Sequence, residues 1–395
     1  MNIEAIFTKA WQQQSAWLWL LLPISWLYGG IVWLRRLSYR LGWQTRYQAP
    51  VPVMVVGNIT IGGSGKTPLI ISLVEYLQQR GVKVAVISRG YGGNEAIMPA
   101  LVNAQSIPSQ VGDEPCMIAA QTGAPMAVCP NRQLAIETLL IEHPNIDLII
   151  ADDGLQHYRL ARDIEWIVVD EARGFGNRQL LPVGYLREPI SRLQRSTVIW
   201  HQSLAAAKSA SDQPTKLTMH LQSEQMQPLI HLEGLGEIDT LPTALLESCQ
   251  RVLPPKQGQR VHAISGIGYP KRFFDTLRGL GFEVIEHPFP DHYAFTWSDL
   301  LPFNEHPIVM TSKDAVKFRA LISQLIEALR VEQAWVSGQA TIALKEAQTV
   351  SKEIEQIAKC LGRVWVLPVQ ASLSASCYDV LEKQLTTLNV HFTSV

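Results

Sequence analysis

The chain has 395 residues, which is long enough for two or three domains, each with its own hydrophobic core. Hydrophobic residues make up 47% and charged residues 17%, and 34 basic side chains are balanced by 35 acidic ones. This composition excludes a disordered protein, and the lack of net basic charge argues against nucleic acid as a partner. Five widely spaced cysteines predict neither a disulfide framework nor a zinc module and fit a reducing compartment.

The first fifty residues differ from the rest of the chain in charge and hydropathy. Residues 16–34 contain no charge and are followed by arginines, and most of the tryptophans lie in or beside this stretch. It is just long enough to cross roughly 30 Å of hydrocarbon. Pro23, Gly29 and Gly30 argue against a straight span, whereas the tryptophans and arginines favour an interfacial helix. We predict a membrane-associated helix within residues 1–45; a full span and a helix packed on the protein's own core are the alternatives.

Residues 46–215 have the pattern of a nucleotide-binding domain. An apolar run at 53–56, the segment GNITIGGSGKTP and a stretch of helical periodicity give the order strand, glycine-rich loop, helix. In such a loop backbone amides surround a phosphate, the lysine reaches the terminal phosphates and the threonine hydroxyl binds Mg²⁺. The motif GxxxxGK normally starts with glycine where this chain has Thr60, and a purely structural glycine turn is the alternative. The predicted phosphate-binding residues are Thr60, Ile61, Gly62, Gly63, Ser64, Gly65, Lys66 and Thr67.

Three further apolar runs, at 82–87, 125–129 and 146–151, are separated by helical patterns. They predict a parallel sheet with helices on both faces. The last run is followed by Asp152 and Asp153, at the edge of the sheet where ligands of such folds bind. Carboxylates at this position are the usual Mg²⁺ partners of a phosphate-binding loop, with a turn or a helix cap as the alternative. Either aspartate can be the direct ligand.

Residues 216–395 predict a second, smaller α/β domain. Strands at 260–265 and 282–287 flank a helix at 270–280. The segment TSKD at 311–314 either forms a base-reading loop or caps a helix. The predicted fold class is therefore α/β: a P-loop NTPase-like parallel sheet domain, a smaller α/β domain that contributes to the active-site cleft, and an N-terminal membrane-associated helix.

Seven motifs follow one another along the chain: GNITIGGSGKTP, SRGYGG, VGDEP, ADDGLQH, LPVGYLREP, FPDHYAF and SKDAVK. Together they resemble the tetraacyldisaccharide 4′-kinases of lipid A synthesis, over residues from about 10 to 320. The resemblance implies ATP- and Mg²⁺-dependent transfer of the γ-phosphate to the 4′-hydroxyl of a tetraacyldisaccharide 1-phosphate, which gives the bis-phosphorylated lipid A precursor. A membrane-associated ATPase that couples hydrolysis to recruitment of a partner is the alternative function.

The implied substrate carries acyl chains and stays in the bilayer. We therefore expect the enzyme at the cytoplasmic face of the inner membrane, as a peripheral or monotopic protein. The expected partners are the acylated disaccharide 1-phosphate and the membrane surface, with no nucleic acid and no obligate protein partner.

The resemblance also implies roles for individual residues. Asp113 of VGDEP is implied as the base that accepts the proton of the sugar hydroxyl, working with His292 of FPDHYAF, while Lys66 is the third catalytic residue. From the residues alone, a helix N-cap is the favoured interpretation of Asp113. Glu114 is expected at the Mg²⁺ site, beside Thr67 and the two aspartates.

Three charged residues are candidates for substrate binding. Arg187 of LPVGYLREP can clamp a phosphate through two N–H groups, with Glu188 holding Arg187 in place, and a surface ion pair is the alternative. Arg132, just after the predicted strand at 125–129, is a further candidate to face a phosphate.

Overall fold

The computed structural model describes residues 3–203, 216–230, 253–336 and 356–392. Within the chain, Cα packing separates two compact units. Unit 1 comprises Met1–Gln222 and Gln370–Val395, and unit 2 comprises Ser223–Val369.

The N-terminal segment is helical, as predicted. It contains α1 (Ile3–Gln12), a 3₁₀ helix (Ala16–Leu21) and α2 (Leu22–Arg40). In the described part of the chain, the continuous helical stretch Ala16–Arg40 is long and apolar enough to cross a membrane, by length and composition. Pro23 lies in the first turn of α2, where its missing N–H breaks no helical hydrogen bond.

One side of this segment packs on the body of unit 1. Trp11 Nε1 donates to Pro182 O at 2.9 Å, Ser25 Oγ to Leu180 O at 2.7 Å and Tyr28 Oη to Arg187 O at 3.0 Å. The other side is apolar and exposed. Its large hydrophobic side chains include Trp17, Trp19, Leu20, Ile24, Trp26, Leu27, Ile31, Trp33 and Leu34.

Unit 1 is built on a nine-stranded sheet. Its strands are β1 (Val53–Gly57), β2 (Val84–Ser88), β3 (Ala100–Val102), β4 (Met126–Val128), β5 (Leu148–Asp152), β6 (Ile164–Asp170), β7 (Thr197–Gln202), β8 (Thr218–Ser223) and β14 (Val369–Leu373). Their spatial order is β14-β8-β7-β6-β1-β5-β2-β4-β3. The pairs from β8 to β4 are parallel and β3 runs antiparallel to β4. The predicted parallel sheet is thus confirmed, with β1 near its centre.

Helices cover this sheet. They are α3 (Lys66–Gln79), the single turn α4 (Pro108–Val111), α5 (Asp113–Thr122), α6 (Arg132–Glu142) and the C-terminal helix (Ala375–Thr387). The apolar residues at helical spacing in α3 are all buried, among them Leu69, Leu73 and Leu77. Ala135, Ile136 and Leu139 of α6 pack into a core with apolar side chains of the central strands.

Unit 2 contains a smaller sheet. Its strands are β9 (Gln227–Pro228), β10 (Arg260–Ser265), β11 (Glu283–Pro288), β12 (Ile308–Thr311) and β13 (Val364–Leu367), in the order β11-β10-β12-β13-β9. Two helices, α7 (Pro270–Gly279) and α8 (Ser312–Val336), belong to separate cores of this unit. Phe273, Phe274 and Leu277 of α7 lie in one core, whereas Phe318 and Ile322 of α8 lie in the other.

The division of the chain differs from the predicted boundary at residue 216. Strand β8 and the segment from Gln370 to the C terminus belong to unit 1. Ser72 Oγ of α3 donates to Ala371 O at 2.8 Å, and Arg80 Nη1 lies 2.7 Å from Glu382 Oε1 on the C-terminal helix. These contacts join segments that are some three hundred residues apart, so no local sequence pattern predicts them. Parts of the predicted second domain lie outside the described residues.

Candidate active site

The glycine-rich loop joins the carboxyl end of β1 to the first turn of α3. Gly62 and Gly65 have φ of +89° and +91°, a conformation that L side chains rarely adopt. A Cβ at Gly65 would also lie 2.9 Å from Met219 Cε and 3.0 Å from His201 Nδ1. Thr60, where the motif has glycine, forms an isolated bridge with Leu186 and does not need positive φ. The departure from the motif is therefore compatible with the loop.

A second loop, within LPVGYLREP, holds the glycine-rich loop in place. Ile61 N donates to Tyr185 O at 2.9 Å, and Arg187 N donates to Ile59 O at 2.7 Å. These hydrogen bonds fix the start of the glycine-rich loop and bring the Arg187 guanidinium to it.

Asn58 connects the loop to its charged residues. Its side chain is fully buried; Nδ2 donates to Ser64 Oγ at 3.1 Å and Oδ1 accepts from Lys66 Nζ at 3.1 Å. The same Oδ1 accepts a hydrogen bond from Arg187 Nη2. One amide side chain thus orients the loop, Lys66 and Arg187 together.

The two aspartates at the end of β5 have different environments. Asp152 pairs in register with Val56, one residue before β1 ends, and is 1% exposed. Asp153 has φ of +45° and points its carboxylate at two cations. Lys66 Nζ lies 2.9 Å from Asp153 Oδ1, and Arg187 binds both oxygens at 2.9 Å. These cations hold the pKa of Asp153 well below its usual range, against the effect of burial.

Glu188 differs from its predicted role. It is fully buried, and Gln156 Nε2 donates to its Oε1 at 3.1 Å, while Arg192 Nε lies 3.3 Å from Oε2. Arg187 is instead held by Asp153 and Asn58. Glu188 therefore supports Gln156, whose amide also donates to Asn58 O at 3.2 Å, and its contact with substrate stays a prediction.

Asp113 is buried in the first turn of α5. The helix start depends on Gly112, which has φ of +100° and where a Cβ would lie 2.6 Å from Tyr91 O in SRGYGG. The positive end of the helix dipole favours a carboxylate at this position. Burial raises the pKa of Asp152, and the negative charge of Glu114, the residue after Asp113, raises it further, so the two predicted metal ligands influence each other.

Arg132 lies behind Asp152. Its guanidinium donates to Asp152 O at 3.2 Å and to Cys129 O at 2.9 Å, and the side chain is 3% exposed. Burial lowers the pKa of Arg132 to about 10, while Asp152 and Asp153 act in the opposite direction. The arginine therefore fixes the end of β5, and its direct contact with a phosphate stays a prediction.

His292 belongs to unit 2, where it joins two of the sequence motifs. It has φ of +58°, and its Nε2 lies 3.8 Å from Asp291 Oδ1. Lys313 of SKDAVK lies 3.1 Å from the same Asp291 oxygen and 3.5 Å from His292 Nε2. Thr311 Oγ1 accepts from Asp314 N at 3.2 Å, which confirms the helix-cap interpretation of TSKD. The partnership of His292 with Asp113 stays a prediction.

The site offers a ligand for a divalent cation. Asp152 Oδ2 accepts from Ser88 Oγ at 3.1 Å, whereas Oδ1 is buried and has no hydrogen-bond partner among the described residues. Within those residues, no group of three or more His, Cys, Asp or Glu side chains is arranged to hold an ion. One or two carboxylates suit Mg²⁺, which takes its other ligands from phosphates and water. Asp152 therefore fits the direct ligand better than Asp153. Thr67 is buried in the first turn of α3, and its contact with the ion stays a prediction.

We expect Asp152→Asn to stabilise the metal-free protein at pH 8. Burial raises the pKa of Asp152 to about 7, so the folded state binds a proton that the unfolded chain has released above about pH 4. The contribution of Asp152 to the free energy of unfolding therefore falls as pH rises from about 4 to about 7, and the asparagine variant avoids this loss. Thermal unfolding in EDTA at pH 5 and pH 8 measures the effect. A variant that is less stable than the native protein at both values would contradict the assignment.

Sequence reasoning missed Asn58, Ser88 and His201. His201 Nδ1 lies 2.9 Å from Ser64 O, beneath the glycine-rich loop. Ser88 is the last residue of β2, which pairs with β5, and the first residue of SRGYGG. Its place at the end of a strand next to the one that ends in Asp152 could have indicated its role. Asn58 stands inside the first motif, where it has the appearance of an ordinary turn residue.

Comparisons with known proteins identify the family of the chain. Residues 17–359 match the family model described as tetraacyldisaccharide-1-P 4′-kinase. The tetraacyldisaccharide 4′-kinases of Psychrobacter arcticus and Aeromonas salmonicida are 55% and 39% identical, covering 100% and 97% of this chain and 98% and 97% of their own. The structure of LpxK from Aquifex aeolicus in complex with ATP is 23% identical with a TM-score of 0.61, covering 94% of this chain and 99% of that chain, and shares the α/β fold. The chain belongs to the tetraacyldisaccharide-1-P 4′-kinase family.

Proposed function

We propose that this protein transfers the γ-phosphate of ATP to the 4′-hydroxyl of a tetraacyldisaccharide 1-phosphate. Membership of the family and the names of its relatives support the activity. The observation that carries the proposal is the cluster at the end of β1, where Lys66 and Arg187 converge on Asp153 beside the unpartnered oxygen of Asp152. Bound ATP would supply the phosphoryl group, and bound Mg²⁺ would neutralise phosphate charge.

Lys66 and Arg187 would stabilise the negative charge of the transferred group. Both are now satisfied by the Asp153 carboxylate, at distances of 2.9 Å. Phosphate oxygens are negatively charged and accept hydrogen bonds from lysine and arginine, as carboxylate oxygens do. We therefore expect them to replace the Asp153 carboxylate. Asn58 keeps both cations in place during the exchange, because its Nδ2 donates to Ser64 Oγ of the loop while its Oδ1 accepts from Lys66 and Arg187.

Asp113 would accept the proton of the sugar hydroxyl. Phosphoryl transfer needs an oriented nucleophile and a base within reach, and a buried carboxylate at a helix start is held rigidly enough for this task. His292 is proposed as the partner that orients Asp113 and stabilises the proton.

We propose that the protein works at the cytoplasmic surface of the inner membrane as a monotopic protein. Ser25 and Tyr28, in the middle of the apolar stretch, donate to Leu180 O and Arg187 O on the body of unit 1. A helix attached there cannot be surrounded by lipid on all sides. Its exposed apolar side supports insertion into one leaflet, where the acyl chains of the substrate lie.

Replacing the exposed apolar side should abolish vesicle binding without affecting catalysis in detergent. We expect the triple variant Trp26→Gln, Leu27→Gln, Trp33→Gln to bind vesicles at least about 100-fold more weakly, because each side chain contributes roughly 1.5 kcal/mol or more when buried in lipid. Cosedimentation with vesicles measures this. The control variant Ile141→Gln, Leu253→Gln alters side chains that are 77% and 80% exposed elsewhere. Equal loss in the control would contradict the proposed surface.

The fate of labelled phosphate separates the proposed kinase from the alternative ATPase. With γ-labelled ATP, Mg²⁺ and the acylated disaccharide 1-phosphate, a kinase transfers label to the glycolipid. A partner-recruiting ATPase transfers the labelled phosphoryl group to water and yields labelled inorganic phosphate, whether or not the glycolipid is present. Label found only in inorganic phosphate would overturn the proposed function.

A further inference from the structure

A basic cavity lies at the C-terminal end of α2. Its volume is about 540 Å³, and it is lined by the last turn of α2, by Arg46, by residues within 158–165 and 192–197, and by Gln384. Six arginines and two carboxylates face it. All of these residues belong to unit 1.

The carboxylate Glu165 neutralises only part of this charge. Glu165 binds Arg192, and Arg162 Nη1 lies 3.3 Å from its Oε2. Asp163, the other carboxylate, accepts from Val53 N at 2.8 Å. Arg36 Nη1 lies 3.9 Å from Glu188 Oε2, so the three inner arginines, Arg36, Arg162 and Arg192, all have carboxylate partners in the protein.

Three outer arginines remain without such a partner. Within the part of the chain that the structure describes, Arg40, Arg46 and Arg195 form no ion pair with a carboxylate, and all three are exposed. Partial desolvation lowers the pKa of the exposed Arg40, and the surrounding arginines lower it further. Like charges held together cost stability, so their arrangement favours an anion bound between them.

The position of the cavity indicates what kind of anion it takes. Ile164 begins β6 and Thr197 begins β7, so the cavity lies at the amino ends of parallel strands, whereas the glycine-rich loop follows the carboxyl end of β1. ATP bound at that loop would therefore not fill it. Trp33 and Trp43, which are 61% and 74% exposed, stand within three residues of the α2 arginines that line it. Tryptophan at such exposure is typical of the headgroup level of a membrane.

We propose that this cavity binds the phosphate of an anionic phospholipid headgroup in the surrounding bilayer. The inference rests on the proposed membrane association and adds to it a defined site. The exposed apolar side of α2 would enter the leaflet. Beside it, the guanidinium groups of Arg40, Arg46 and Arg195 would bind the phosphate of one headgroup. The 1-phosphate of the substrate has the same chemistry, and the experiment distinguishes the two sources.

The test compares vesicles of phosphatidylcholine with vesicles that also contain phosphatidylglycerol. We expect Arg40→Gln, Arg46→Gln, Arg195→Gln to bind the anionic vesicles about 100-fold more weakly than the native protein, and neutral vesicles equally well. The control Lys83→Gln, Arg260→Gln, Lys271→Gln removes the same number of positive charges from exposed positions elsewhere and should keep the preference. An arginine variant that keeps the preference as the control does would overturn the proposal.

Activity in neutral detergent micelles provides the second arm. There the arginine variant should show native kcat and KM for the acylated disaccharide both with and without its 1-phosphate. A KM raised only for the 1-phosphorylated form, with the vesicle preference intact, would overturn the proposal in favour of a substrate site. Absence of phosphate transfer by the native protein would refute the proposed function, whereas the vesicle result would stand. Thermal unfolding no lower than in the control variant shows that the fold is retained.

Discussion

Replacing Lys66 with alanine should lower kcat for phosphate transfer by about 10² to 10³-fold, the loss typical of removing one preorganised donor to developing charge. Lys66 Nζ lies 2.9 Å from Asp153 and 3.1 Å from Asn58 Oδ1, so its charge is fixed before any ligand binds. Without it, Arg187 alone faces the negative charge. Steady-state kinetics with the glycolipid at saturating ATP measures the loss.

The fold of the Lys66→Ala protein should be intact, because Arg187 still holds both oxygens of Asp153. Lys83→Ala, at an exposed position, is the matched control and should retain native turnover. A Lys66→Ala protein within tenfold of the native rate would show that the loop lysine does not act on the transferred group.

Asp113→Asn should reduce kcat by about 10² to 10⁴-fold, the range typical of a lost general base, while leaving ATP binding unchanged. The amide has the size of the carboxylate and keeps the start of α5, but it cannot take the proton of the sugar hydroxyl. Pre-steady-state transfer, together with binding of a fluorescent ATP analogue, separates the two effects.

Glu114→Gln is the neighbouring control for Asp113. Since Glu114 acts electrostatically on Asp152, we expect the Glu114→Gln substitution to change the Mg²⁺ concentration needed for half-maximal rate more than it changes the maximal rate. If Asp113→Asn turns over within threefold of the native protein, the base must be another group.

Local signals in the sequence predicted the centre of the first sheet well. The glycine-rich loop, α3 and the strands ending at Ser88 and Asp152 depend on short-range patterns of glycine and apolar residues. The return of β14 to β8 depends on pairing between distant segments. No periodicity in either strand specifies its partner, and this is why the predicted second domain extended too far.

Within the site, residue types were easier to predict than their partners. Asp152 and Asp153 are adjacent and chemically identical, and only the structure separates a buried oxygen without a donor from a carboxylate held by two cations. Glu188 follows Arg187 directly, yet it contacts Gln156 and Arg192, whereas Arg187 contacts Asp153 and Asn58. Asn58 gains its importance entirely from tertiary contacts.

The structure of the reaction product tests the central claim most directly. The purified protein is incubated with ATP, Mg²⁺ and the monophosphorylated tetraacyldisaccharide, and the glycolipid is examined by mass spectrometry and by phosphorus–proton correlation. We predict one added phosphoryl group, esterified at the 4′ oxygen. An unmodified glycolipid, or a phosphate on any other oxygen, would contradict the account.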